Sequence, residues 1–301
     1  DSYDEINGES TTGMTLAAGA TINVDASEVI EMLDDEIAGR LTISDQSITV
    51  TGEISADEAR ELSETTTGLL TATILDTTID QLEVLPDTDN ALTIRLTDPS
   101  VDAFDLFNLN FLTSLSIDAS EVTEITGEFG YIYHVYQGMK GQFLGIEDSS
   151  LAVTGDLDVF RANLLDAGTT TGTIAGTITS ETVQALKTLT GVNAYNITIN
   201  AADATSTTAA DLNAINALTS DTVNLINVTA LAESSLSDLD TLEAAITNNE
   251  FSNTTGLTTI AVSDTTIDAT ALASTIDSYD EINGESTTGM TLAAGATINV
   301  D

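Results

Sequence analysis

The chain has 301 residues, of which 49 are acidic and six are basic, and its net charge at neutral pH is −43. A charge of this sign repels phosphate backbones, so we expect no nucleic-acid partner. The lack of cysteine excludes disulfides and thiolate metal sites, and the lack of an apolar run of about 18 residues predicts no membrane insertion. Aromatic residues make up only 4% of the chain, which favours a narrow core of aliphatic side chains.

Ten segments along the chain carry the pattern of a short helix. Each begins with a residue that is favoured at helix N-caps, and apolar residues follow four and seven or eight positions later. The segments start at Asp25, Ser55, Thr78, Asp102, Asp118, Gly155, Thr179, Thr208, Ser235 and Asp268. Glu58, three residues after Ser55, predicts a capping box. Helices of two or three turns are unstable alone, so we expect each of them to pack on another element.

Between these segments lie short runs rich in Val, Ile and Thr, in which apolar and polar residues alternate. This period of two predicts β-strands with one buried face. The runs span residues 41–44, 47–52, 69–75, 91–97, 114–118, 150–155, 172–179, 196–200, 221–228 and 257–268.

The alternation of helices and strands predicts an α/β solenoid. The ten helical segments recur about every 28 residues, a spacing that is typical of stacked repeats. Stacking would pair each strand with its counterpart in the next coil, giving parallel sheets with a row of short helices on one side. At roughly 4.8 Å per coil, ten coils would advance the solenoid axis by roughly 50 Å.

One turn has the composition of a cation site. The segment PDTDN places Asp87, Asp89 and Asn90 directly after Pro86. Calcium prefers such oxygen ligands, and calcium is the only cofactor that the sequence suggests. The segment matches only the start of a calcium loop, so a plain turn is the alternative interpretation.

An aromatic-rich insertion spans residues 126–145, in the longest gap between helical segments. Its candidate binding residues are Phe129, Tyr131, Tyr133, His134, Tyr136, Lys140 and Phe143. The alternation in YIYHVYQ predicts a strand, and a projecting hairpin would offer its tyrosines to a protein or a sugar. The alternative is a locally thicker core with the rings facing inward.

The sequence offers little for catalysis, and we predict that the protein is not an enzyme. His134 is the only histidine, and a single histidine in a predicted strand is usually structural. Acidic pairs such as Asp156 and Asp158 would suit a polysaccharide-cleaving solenoid, but carboxylates also belong at the caps and turns of an acidic protein.

The end of the sequence repeats its beginning. Residues 277–301 are identical to residues 1–25 at all 25 positions, an offset of 276 residues. Either the native polypeptide repeats with this period, or the segment was duplicated to close a unit. The repeat ends at a predicted helix cap, so we expect residues 1–301 to be one continuous solenoid segment whose partners are further copies of itself, end to end.

Several phrases resemble repeats of giant adhesin-like or haemolysin-like surface proteins of cyanobacteria and other aquatic bacteria. These phrases are TTIDATALASTID (265–277), TINVDASEV (21–29), LSIDASEVTEITG (115–127) and TTAADLNAINALT (207–219). The resemblance implies an extracellular location, at the cell surface or in the matrix, and a structural or adhesive role. Many such proteins carry GGxGxD calcium repeats, which this sequence lacks.

These observations predict a structural, filament-forming repeat protein. The alternative is an adhesive module that binds a surface glycan or a protein, with lateral copies of itself as further partners. A polysaccharide-active solenoid enzyme is the third hypothesis.

Overall fold

In the computed structural model, the described residues are 13–139, 141–284 and 288–300. They belong to two compact units. The first comprises the chain up to Thr126 together with Gly130–Asp148, and the second comprises Gly127–Phe129 and the chain from Ser149 onward. Both units combine helices with parallel strands, which confirms the predicted α/β class.

The strands of the first unit form several separate parallel sheets. They are β1 (Met14–Thr15), β2 (Thr21–Asp25), β3 (Leu41–Thr42), β4 (Ser47–Ile54), β5 (Leu70–Ile74), β6 (Ala91–Thr93), β7 (Ser100–Asp102), β8 (Ile117–Asp118), β9 (Glu124–Glu128) and β10 (Phe143–Leu144). The largest of these sheets has the order β2-β4-β5-β6, and β1 pairs with β3, β7 with β9, and β8 with β10. Strand β5 alternates between buried and half-buried residues, as its sequence pattern predicts.

The helices of the first unit are short. They are α1 (Val29–Ile37), α2 (Ala56–Thr65), α3 (Ile79–Leu82), α4 (Ala103–Leu109) and α5 (Phe129–Tyr133), which begins in the second unit and continues as a π-helical turn over His134–Gly138. A 3-10 turn over Ala26–Glu28 leads into α1. The capping box that Ser55 and Glu58 predict is present at α2, where it satisfies two backbone N–H groups that the helix itself leaves unpaired.

The second unit also has parallel sheets. Its strands are β11 (Ser150–Asp156), β12 (Ile174–Ile178), β13 (Ala194–Thr198), β14 (Val223–Asn224), β15 (Ala230–Ser234), β16 (Phe251–Ser252), β17 (Thr259–Val262), β18 (Thr266–Asp268), β19 (Gly289–Leu292) and β20 (Thr297–Asn299). Five strands have the order β11-β12-β13-β14-β16, and the others are ordered β15-β17-β19 and β18-β20. Its helices are α6 (Val159–Asp166), α7 (Val183–Leu186), α8 (Ala209–Asn216), α9 (Leu236–Thr247) and α10 (Ala269–Ile282).

The sequence pattern predicts most of these elements. Each of the ten alternating runs overlaps a strand. The predicted cap residues precede a helical turn at seven starts, which are Asp25, Ser55, Thr78, Asp102, Thr208, Ser235 and Asp268. Among the described residues, no helix combines the length and the apolar character that a bilayer span requires.

Three predicted helix starts are wrong. No helix follows Asp118, whose carboxylate accepts a hydrogen bond from the Ser120 N–H at 3.1 Å and closes a turn before β9. The predicted starts at Gly155 and Thr179 each lie three residues too early. The caps are Asp158 and Thr182, because the buried helical face begins at the first residue after the cap rather than at the fourth.

The core is mainly aliphatic, in agreement with the composition, but three large aromatic residues are fully buried in it. These are Tyr195, Tyr279 and Phe143. Burial raises the pKa of the Tyr195 and Tyr279 hydroxyls, and the Tyr279 hydroxyl donates a hydrogen bond to the Leu239 carbonyl at 3.0 Å.

Candidate functional site: a repeated strand segment and an aromatic surface

The repeated segment forms two short strands in each of its copies. The described part of the first copy contains β1 and β2, and that of the second copy contains β19 and β20. With the offset of 276 residues, Met14 corresponds to Met290 and Ile22 to Ile298. At the positions that the structure describes in both copies, the same sequence therefore forms strands at the same places, with ends that differ by one or two residues.

The second copy pairs with strands that precede it in the sequence. Strand β19 pairs with β17 and β20 pairs with β18, both in parallel. The Gly289 N–H donates to the Thr258 carbonyl at 2.9 Å, and the Thr297 N–H donates to the Thr265 carbonyl at 2.9 Å.

The first copy pairs with strands that follow it in the sequence. Strand β1 pairs with β3 and β2 pairs with β4, again in parallel. The Met14 N–H donates to the Arg40 carbonyl at 2.7 Å, and the Ala20 carbonyl accepts from the Ser47 N–H at 3.0 Å.

These hydrogen bonds use opposite edges of the same strand. In an extended strand, the backbone N–H groups of consecutive residues point to opposite edges. In β19 the bonded N–H is that of Gly289, and in β1 it is that of Met14. Gly289 corresponds to Gly13, so the two bonded N–H groups belong to consecutive positions of the repeated sequence and point to opposite edges. Each copy therefore forms the contacts that its counterpart lacks.

Burial differs between the copies in the same sense. Val24 is 7% exposed, whereas its counterpart Val300 is 79% exposed. Leu292 and Ile298 are also exposed large apolar residues, and their counterparts Leu16 and Ile22 are half-buried. The second copy thus exposes aliphatic side chains whose counterparts in the first copy are buried or half-buried.

Threonine side chains link successive strands in both units by the same geometry. The Thr113 hydroxyl accepts from the Leu92 N–H at 3.0 Å and donates to the Leu92 carbonyl at 2.7 Å. The Thr219 hydroxyl bonds the Tyr195 N–H and carbonyl at the same two distances. Both threonines are buried, so these bonds satisfy backbone groups that have no access to water.

Asparagine side chains serve the same purpose. The Asn90 amide oxygen accepts from the Leu70 N–H at 2.9 Å, and the Asn193 amide oxygen accepts from the Ile174 N–H at 3.0 Å. The partners lie 20 and 19 residues apart in the sequence.

Several helices receive a second N-terminal cap from a residue further along the chain. The Ala56 N–H, at the first position of α2, donates to the Asp76 carboxylate at 2.6 Å. The corresponding amides of α3, α7 and α9 donate to Asp98, Asp203 and Asp264. Carboxylates at these positions accept otherwise unpaired N–H groups and interact favourably with the helix dipole, which accounts for part of the acidic composition.

The aromatic insertion is helical, so the strand predicted for YIYHVYQ is wrong. Helix α5 and the π-helical turn after it bury Ile132, Val135 and Tyr136. These residues follow the spacing of three and four that places side chains on one helical face. This second periodicity is present in the sequence beside the alternation, and it is the signal that identifies the helix.

Of the predicted aromatic binding residues, two lie in the core. Tyr136 is buried and its hydroxyl donates to the Ile146 carbonyl at 2.6 Å, and Phe143 is 1% exposed. Phe129 lies in the second unit, where the Arg161 guanidinium is 5.3 Å from the centre of its ring. Tyr133 is half-buried, and Lys140 lies outside the described residues.

The remaining two predicted residues, Tyr131 and His134, belong to an aromatic surface that also includes three phenylalanines of α4 and the turn after it. The ring of Tyr131 lies 5.1 Å from that of Phe104 and 5.8 Å from that of Phe107, both edge-on. Phe107 also contacts Phe111 at 5.4 Å and His134 at 6.2 Å. Phe104 and Phe111 are each nearly half exposed. We define this cluster as the aromatic surface.

The three phenylalanines are absent from the sequence-based prediction. Phe104, Phe107 and Phe111 recur at spacings of three and four, which places them on one side of α4 and the turn after it. The buried side of the same helix carries Leu106 and Leu109. The sequence could have indicated this surface, because a short helix with a second apolar side beside its buried one leaves that second side exposed.

The candidate calcium ligands have different surroundings. Asn90 is buried, and its amide oxygen is engaged by the Leu70 N–H, while Asp87 and Asp89 are exposed. Asp87 lines a cavity of about 300 Å³ with Glu83, Asp105 and apolar residues of α3 and α4. Over the ranges that the structure describes, no group of three or more acidic or histidine side chains is arranged to hold a metal ion.

Carboxylate repulsion acts at this cavity. Burial raises the pKa of Asp105 above its ordinary value, and the charges of Asp102, Glu83 and Asp80 raise it further.

No protein-family model, curated protein or solved structure matches the chain. The resemblance to giant surface proteins therefore stays a prediction from the motifs.

Proposed function

We propose that the protein is a structural, non-catalytic component of an extracellular fibre. In this proposal, 276-residue repeats are joined in tandem and stack end to end as one solenoid of about ten coils per repeat. The observation that carries it is the use of opposite strand edges by the two identical copies of the repeated segment.

In this proposal, the second copy in one repeat is the first copy of the next, so its strands would join the sheets of successive repeats. In the first strand, Met290 pairs with Ile260 on one side, and its counterpart Met14 pairs with Leu41 on the other. In the second strand, Ile298 pairs with Ile267, and its counterpart Ile22 pairs with Ile48. Both joined rows consist of large apolar residues, as the core of a continuous stack requires.

The spacing of contacts along the chain supports the solenoid. The threonine, asparagine and aspartate bonds that link successive strands and cap successive helices join residues 19 to 28 positions apart. Such bonds recur in both units. Nearest-neighbour contacts of this kind are the pattern that stacked repeats produce.

The charge of the chain suits an exposed fibre. At −43 per 301 residues, separate fibres repel one another and remain dispersed until salt screens the charge. The proposed extracellular location, at a cell surface or in a matrix, rests on the resemblance of the motifs to those of giant surface proteins.

Electron microscopy of the native material tests the proposal. We expect continuous thin filaments with an axial spacing of roughly 50 Å, the advance of ten coils. The parent gene should encode further copies with the same 276-residue period. Discrete particles, together with a gene that encodes no further copies, would contradict the proposal.

A second candidate function is adhesion through the aromatic surface. Edge-on rings with nearly half of Phe104 and Phe111 exposed offer flat apolar faces to a sugar or a protein. Glycan-array binding that is lost in Phe104→Ala and Phe111→Ala, but retained in the control Phe160→Ala, would support it. Phe160 is an exposed phenylalanine of the second unit.

Catalysis by carboxylates on a solenoid is the remaining alternative. We propose that it is absent, and turnover of acidic polysaccharides by the purified chain would contradict that proposal.

A further inference from the structure

Within the described residues, the repeated segment leaves strand edges without a partner strand in both of its copies. No described strand pairs with the outer edges of β19 and β20 or with the outer edges of β1 and β2. The first edge presents the N–H groups of Met290 and Ile298, because the N–H groups of Gly289 and Thr297 are bonded on the other side. The second presents the N–H of Thr21, the counterpart of Thr297.

The two edges are complementary. The outer edge of β19 and β20 is equivalent to the edge of β1 and β2 that pairs with β3 and β4. The outer edge of β1 and β2 is equivalent to the edge of β19 and β20 that pairs with β17 and β18. All four pairings are parallel. The open edge of β19 and β20 can therefore bind a strand pair on its following side, and the open edge of β1 and β2 can bind a strand pair on its preceding side. Parallel pairing of these two edges would satisfy both.

We propose that separate chains associate head to tail by this pairing, with β19 and β20 of one chain alongside β1 and β2 of the next. The partner is a second copy of this chain. The proposal goes beyond the tandem-repeat fibre, because it extends a filament by non-covalent addition of chains. A head-to-tail contact that does not close into a ring produces an open filament.

Apolar burial favours a second copy as the occupant. Leu292, Ile298 and Val300 are 37%, 44% and 79% exposed along the open edge of the second copy. In the first copy, a following pair of strands reduces the exposure of the counterpart of Val300 to 7%. Strands of the same sequence in the same register supply matching apolar side chains.

The net charge of each chain opposes this association. Two chains of −43 repel each other over the Debye length, which is about 30 Å at 0.01 M salt and about 3 Å at 1 M. We therefore expect the chains to associate only when salt is added.

Sedimentation of the full 301-residue chain tests the proposal at concentrations from about 1 to 100 μM. We expect the weight-average molar mass to rise with concentration in 0.5 M NaCl and to stay at the value of the monomer in 0.01 M NaCl. The sharpest comparison uses proline, which removes an N–H donor and blocks the edge where that donor pointed. Met290→Pro and Thr21→Pro should lower the association constant at least tenfold and leave the melting temperature unchanged.

The same substitutions in the other copy serve as matched controls. Met14→Pro removes the bond to the Arg40 carbonyl, and Thr297→Pro removes the bond to the Thr265 carbonyl, both within one chain. Each should lower the melting temperature. Ile298→Pro, at the second open N–H, provides an independent variant should Met290→Pro disturb the fold.

Two results would overturn the proposal. One is a chain that remains monomeric at 100 μM in 0.5 M NaCl, and the other is undiminished association of folded Met290→Pro, Ile298→Pro and Thr21→Pro variants. Either result leaves the tandem-repeat proposal standing, since that proposal is decided by the gene and by the native filaments.

Discussion

Val24 and Val300 occupy equivalent positions in identical 25-residue sequences, yet 7% of Val24 and 79% of Val300 is exposed. Both lie in or beside a short parallel strand, so local propensity acts equally on the two. In the first copy, β4 lies on the following side of the strand, and a 3-10 turn and helix α1 follow Val24 in the chain. The described part of the second copy has no such neighbours. A residue's burial in these sheets therefore depends on the neighbouring elements as well as on its own segment.

The largest expected effect comes from placing a charge at both positions. Val24→Asp buries a carboxylate without a partner and should lower the free energy of unfolding by about 3 kcal/mol. Val300→Asp leaves the carboxylate in water and should change it by about 0.5 kcal/mol or less. Chemical denaturation followed by circular dichroism measures both, and equal effects would show that the two copies are covered alike.

A smaller effect should follow from removing a hydroxyl between two covered strands. Thr219→Val leaves the buried N–H and carbonyl of Tyr195 without their side-chain partner, which should cost about 1–3 kcal/mol. Thr291→Val, in the strand with an open edge, removes an exposed hydroxyl and should be nearly neutral. Thermal unfolding separates the pair. A neutral Thr219→Val would mean that water replaces the threonine bonds.

The smallest effect concerns charge within the first unit. Burial, with Asp102, Glu83 and Asp80, raises the pKa of Asp105 in the folded state. A raised folded pKa means that stability falls as the pH rises from the unfolded value of about 4 through the folded pKa. Asp105→Asn should therefore raise the melting temperature at pH 7 by about 1 °C, with no gain near pH 3.

The control for this substitution is Glu53→Gln, which removes an exposed carboxylate from the same unit. A gain for Asp105→Asn that persists at pH 3 would assign the effect to packing instead of charge.

The sequence predicts strands better than it predicts helix starts. Runs such as LLTATIL become strands because Val, Ile and Thr suit a pleated, half-buried surface, and β5 buries every second residue. Ser55 is identified as a cap because its partner Glu58 is local. Asp118 is also a residue that is favoured at helix caps, but the strand-forming residues after it pair with β7, and that partner lies outside the local pattern.

The candidate sites are less predictable for the same reason. The identity of residues 1–25 and 277–301 indicates periodicity, but only the hydrogen bonds of Gly289 and Met14 reveal which edge each copy leaves open. The aromatic surface requires α4 and α5 to pack together, so Tyr131 and His134 are identified while Phe104 and Phe111 are missed. Asn90 has the ligand type for calcium, but its oxygen accepts a backbone N–H from a strand 20 residues earlier.

Amide hydrogen exchange at Met290 and Ile298 tests the stacking of repeats most directly. It should be measured in the 301-residue chain at low salt and in a polypeptide that contains the 276-residue period twice. The account predicts fast exchange in the first and, at the internal copy of the segment in the second, protection comparable to that of Met14 and Ile22. Equally fast exchange at the internal copy would show that the next repeat does not cover the open edge, and it would contradict the stacked solenoid.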